Sequence, residues 1–85
     1  MEARLSESFK EEFIKLTKRD LKLRKKITEK IDLVSRNPSH PSLRLHKILS
    51  SGYWSVSVDK SIRILLIFKK DFLYLIHIGT HDQVY

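Results

Sequence analysis

Six side chains in this sequence have the chemistry to act on a substrate: His40, His46, His77 and His81, Arg63 within a β-branched run, and Tyr85 as the last residue. An imidazole titrates near neutral pH and can take or give a proton, and a guanidinium is permanently charged with forked donors that match an oxyanion. There is no cysteine, so thiolate catalysis, disulfides and thiolate metal sites are excluded. The histidines have no convincing ligand spacing either. His77 and His81 would share a face only in a helix, and their segment reads as strand and turn. Proton transfer and anion binding are what these residue types offer. Seventeen Lys and Arg oppose ten Asp and Glu, giving a formal charge of +7 and a pI near 9.9. That balance favours RNA, DNA or an acidic protein as partner, with a membrane surface the weaker option.

The elements that must position these groups are few. Eighty-five residues, 41% hydrophobic and 32% charged, suit one domain with a packed core under a charged surface. The start, Met1 to Leu5, lacks the apolar core of a signal peptide, and no later run approaches a spanning helix, so a cytoplasmic protein is expected. Composition changes near Asn37-Pro38, which predicts helices first and strands second. Ser8 with Glu11 has the form of a capping box, and Phe9, Phe13 and Leu16 recur at helical spacing over residues 9–17. Asp20 can cap a second helix carrying Leu23, Ile27, Ile31 and Val34 until Pro38 stops it. Glu2 to Leu5 is long enough for a short edge strand. Tyr53 to Val58, Ile62 to Phe68 and Phe72 to Ile78 read as strands joined by tight polar turns. The expected fold is α+β in the order β-α-α-β-β-β, a helical hairpin on a small antiparallel sheet.

Strand parity then sorts the side chains. Trp54, Val56, Val58, Ile62, Ile64, Leu66, Phe68, Phe72, Tyr74, Ile76 and Ile78 form an apolar set that should take the helices. The opposite set mixes Ser55, Ser57, Arg63, His77 and Gly79 with Leu65, Ile67, Leu73 and Leu75. With turns centred on Lys60 and Lys70, Ser57 faces Arg63, Arg63 faces His77, and His81 continues the line. The expectation is a polar site beside an apolar docking patch made of Leu65, Ile67, Leu73 and Leu75.

The strings Leu45-His46-Lys47-Ile48-Leu49, Gly52-Tyr53-Trp54-Ser55, Ile62-Arg63-Ile64 and Ile78-Gly79-Thr80-His81-Asp82-Gln83-Val84-Tyr85 resemble the RelE/ParE superfamily of toxin–antitoxin toxins. The ending resembles the YafQ-like and RelE/StbE branch. The resemblance is close over about residues 43–85 and extends to the helical half only in length and pattern. It implies a metal-independent ribonuclease, an mRNA interferase without cofactor, that enters the ribosomal A site and is held by a cognate antitoxin. In that chemistry the ribose 2′-hydroxyl attacks the adjacent phosphate, leaving a cyclic phosphate and a 5′-hydroxyl. It needs a base, an acid and cations.

His46, Arg63, His81 and Tyr85 match positions used in this way. His81 is the first choice for acid or base, against a plain loop histidine. His46 would be its proton-transfer partner or a phosphate ligand, and reads equally as a packed or capping residue. Arg63 fits a phosphate clamp, since packing alone does not explain a central-strand arginine. Tyr85 could stack on a base, assist proton transfer or merely cover the sheet edge. Asp82 could orient His81, or be a solvated acid. Lys47 and Lys60 are phosphate-contact candidates of a commonplace kind. His77 reads as structural and His40 as loop. The basic run Lys22 to Lys26 reads as a solvated face or a contact to RNA or an acidic partner. One departure stands out: related toxins carry an arginine after the Trp-Ser motif, where this chain has Ser57.

Two other functions share the fold. One is a non-catalytic toxin like the ParE branch that binds DNA gyrase; the other is a remnant that only binds RNA or an antitoxin. The His81 to Tyr85 ending favours catalysis, because a pure binder needs neither imidazole nor phenol beside Arg63.

Overall fold

A computed structural model describes residues 1–48 and 51–80. Strand β1 (Glu2–Leu5) leads into helix α1 (Glu7–Thr17) and helix α2 (Leu21–Arg36). A 3₁₀ turn (Pro41–Leu43), a two-residue strand β2 (His46–Lys47), and strands β3 (Trp54–Ser57), β4 (Ile62–Phe68) and β5 (Phe72–Thr80) follow. The sheet order is β1-β5-β4-β3-β2, antiparallel except where β1 joins β5 in parallel, so the sheet is mixed. The short β2 is an addition to the expected order. Among the described residues no helix is long and apolar enough to cross a membrane.

Helical periodicity becomes packing as the sequence predicts. Phe9, Ile27 and Val34 are fully buried, and Phe13, Leu16, Leu23 and Ile31 pack against them. The start of α1 differs from expectation. Ser6, not Ser8, is the cap: its Oγ accepts from Phe9 N–H at 2.9 Å and donates to the Ile76 carbonyl at 2.6 Å. The Ser6 N–H also bonds the Leu75 carbonyl at 3.0 Å. Contacts to β5 therefore choose between two serines that local sequence leaves nearly equal. Asp20 caps α2 as predicted, accepting from Leu23 N–H.

The β4–β5 register is the larger correction. The turn closes one residue later than expected, pairing Phe68 with Leu73, Ile67 with Tyr74 and Leu66 with Leu75. Parity is thereby inverted over the first half of β5. Leu73 and Leu75 are fully buried in the core, not on a docking patch. Tyr74 shares the other face with Ile67, and Phe72 lies beside it with ring centroids 6.4 Å apart. A bulge between Leu65 and Leu66 leaves Ile76 as the extra residue and restores parity beyond it. Ile78 is back in the core, and Arg63 stands opposite Gly79 rather than His77.

Candidate functional site

The site is built around Arg63 on β4, the central strand, on the face away from the helices. Ser57 on β3 is its direct neighbour in register, and Gly79 on the other side puts no β5 side chain across from it. The guanidinium is held from behind. Its Nε donates to Ser55 Oγ at 2.6 Å, and its Nη2 donates to the Arg44 carbonyl at 3.2 Å. Ser55 is fully buried, so this bond is shielded from water. The Nη1 side of the fork is uncommitted among the described residues and can meet an anion.

Two loops complete a cavity of about 230 Å³ lined by Ser42, Arg44, Ser57, Asp59, Lys60 and Arg63. The first is the 3₁₀ turn, seated by the fully buried Leu43 and tied to α2 by a Lys30–Ser42 bond of 3.2 Å. His40 caps this turn, its Nδ1 accepting from Ser42 N–H, so the loop histidine has a structural task. Arg44 follows in the left-handed region with φ 46°, its N–H bonded to the Pro41 carbonyl. The second loop is the β3–β4 turn. Asp59 Oδ1 accepts from Ser61 N–H and Ile62 N–H, each at 2.8 Å, which sets Lys60 at the tip. Burial alone would raise the Asp59 pKa. The N–H groups of Ile62 and Ser61, the Ser61 hydroxyl and the nearby Lys26 charge outweigh that and hold it below the ordinary carboxylate value.

His46 lies on the same face. It pairs with Ser55, which pairs with Leu65, which pairs with His77, so the four form one row across the sheet. His46 thus sits one strand from the serine that holds Arg63. Lys47 does not join this group, because it pairs with Trp54 and belongs to the opposite face. His77 is engaged at the far end, with Nδ1 3.1 Å from the Glu12 carboxylate, whose other oxygen accepts from Ile78 N–H. His81, Asp82 and Tyr85 lie outside the described residues. No group of three or more His, Cys, Asp or Glu among the described residues is placed to hold a metal ion.

Arg44 was not singled out in the sequence, and Ser55 was placed there on the Arg63 face without a role. The signal for Ser55 is its parity with Arg63 on the neighbouring strand; Leu-Arg-Leu gives no local sign that Arg44 adopts a positive φ.

No protein-family model matches the chain, and no curated protein does. Solved structures do match, at high structural similarity. YafQ from E. coli strain BL21(DE3) superposes with a TM-score of 0.82 at 20% identity, covering 99% of this chain and 97% of that one. A YoeB/ParE toxin from Agrobacterium tumefaciens gives 0.82 at 19% identity, covering 95% and 99%. The E. coli DinJ–YafQ complex gives 0.80 at 20% identity, covering 99% and 97%. Two helices on a five-stranded mixed sheet, in this order, are the RelE-like toxin fold.

Proposed function

We propose that this chain is the toxin of a type II toxin–antitoxin module and acts as a ribosome-dependent, metal-independent mRNA endonuclease. The observation that carries the reading is Arg63, a guanidinium on the central strand gripped at Nε by Ser55 and at Nη2 by the Arg44 carbonyl, and lining a cationic cavity with Nη1 uncommitted among the described residues. Such a group is preorganised for charge that develops on a phosphoryl oxygen.

In the proposed reaction the 2′-oxygen attacks phosphorus, and the bond from phosphorus to the 5′-oxygen breaks, giving a cyclic phosphate and a 5′-hydroxyl. A base takes the 2′-hydroxyl proton and an acid protonates the leaving oxygen. His46, beside Ser55 on the Arg63 face, and His81 are assigned to these steps, with Asp82 orienting His81 and Tyr85 stacking on a base. Lys60 at the turn tip adds positive charge, while Lys47 on the opposite face is left to longer-range attraction. A cytoplasmic location and a cognate antitoxin follow from the same reading. The DinJ–YafQ complex has the fold bound to a second protein, which supports such a partner.

Primer extension on a reporter mRNA in a purified translation system tests this. Discrete cuts that need ribosomes and vanish in Arg63→Ala and His81→Ala are expected. Intact mRNA at toxin concentrations that still arrest growth would sink the nuclease reading and make gyrase binding the next assay.

A further inference from the structure

The cavity between the 3₁₀ turn and the β3–β4 turn has three cationic residues on its wall, Arg44, Lys60 and Arg63, against one acid, Asp59. That acid is already committed to two backbone N–H groups of its own turn. The cavity, about 230 Å³, is smaller than those that take drug-sized organic ligands, which typically begin near ~300 Å³. Its size and charge suit a phosphodiester with part of its ribose.

Arg44 is the residue that needs explanation. Among the described residues it is the one non-glycine with a positive φ. Glycine or asparagine would adopt that conformation at less cost, and an observed backbone outlier of this kind points from strain to function. Its carbonyl holds Arg63 and its side chain lines the cavity that Arg63 faces. We infer that Arg44 is a phosphate-binding residue of the RNA site, forming with Lys60 and Arg63 a cradle for a phosphodiester. The inference rests on the RNA-cleaving reading and names a contact within it.

Arg44→Gly separates the side chain from the backbone, because glycine keeps the left-handed conformation and the carbonyl that Arg63 uses. The probe is a short 2′-O-methyl oligoribonucleotide, which cannot be cut, titrated by fluorescence anisotropy at several KCl concentrations. Arg44→Gly should bind it about 5- to 10-fold more weakly, with a salt slope reduced by roughly 0.7 for one lost phosphate contact on a single strand. Its melting temperature should be equal to or above wild type. Ser57→Arg, on the same wall, should restore most of the affinity in the Arg44→Gly background. Unchanged affinity and salt slope in Arg44→Gly, or a double variant that stays weak, would overturn the inference while leaving the nuclease reading intact. Wild-type protein that neither binds the probe nor cuts ribosome-bound mRNA would overturn both.

Discussion

The Oγ of Ser55 accepts a 2.6 Å hydrogen bond from Nε of Arg63, linking a fully buried hydroxyl on β3 to the central cation of the open face. This bond fixes the plane of the guanidinium, so its loss has two consequences. Ser55→Ala leaves a partly buried N–H without its partner and should cost about 1–3 kcal/mol of stability, read from urea unfolding. Cleavage should fall by about tenfold at saturating substrate, and Ser55→Thr should recover part of both. Unaltered cleavage in a folded Ser55→Ala protein would show that Arg63 needs no such brace.

Arg63→Lys keeps the charge but loses the planar fork. A lysine cannot donate at once to Ser55, to the Arg44 carbonyl and to a phosphate oxygen. Cleavage should drop about 10²-fold, close to Arg63→Ala, as for removal of one preorganised donor to a developing oxyanion. The wild-type cuts should persist with a chelator that removes transition metals and leaves the ribosomes' magnesium in place.

Asp59 ties stability to acid pH. Its folded pKa lies below the ordinary value of 3.8, so the carboxylate's contribution is fully present above that value and is lost as pH falls through the lower, folded one. Asp59→Ala should cost about 1–2 kcal/mol at neutral pH through the lost turn bonds. Asp59→Asn keeps an acceptor at Oδ1 and should cost less at neutral pH while flattening the stability profile below the ordinary carboxylate value of 3.8. Denaturant melts across that range decide the matter.

The register of β5 predicts opposite fates for neighbouring residues. Leu75→Ala, at a fully buried site, should destabilise by about 2–5 kcal/mol. Tyr74→Ser, paired with Ile67 on the open face, should cost about 1 kcal/mol or less and can alter partner binding instead. Similar melts for the two would contradict the pairing of Leu66 with Leu75 and of Ile67 with Tyr74.

The helices and the strands were legible because each carries its own period: Phe9, Phe13 and Leu16 repeat helically, and Ile62, Ile64 and Leu66 alternate. Ser57 opposite Arg63 was legible too, since a short turn sets that pairing locally. Beyond Leu65 the pattern fails, because Phe72 to Ile78 is apolar at every position but one and parity alone cannot choose a face. Turn length and the bulge at Ile76 choose it. Arg44 was hidden for a different reason: its placement depends on a 3₁₀ turn ended by a positive φ without glycine or asparagine to mark it.

Ser6 bonds the carbonyls of Leu75 and Ile76, the latter contact spanning 70 residues of chain. The first strand and the start of the first helix therefore have no finished partner until the last strand has been made. A chain emerging from N- to C-terminus can form α1 and α2 early, but their apolar faces wait for a sheet that closes at the end. Non-local closure of this kind slows folding and leaves the nascent helices open to other surfaces in the interval.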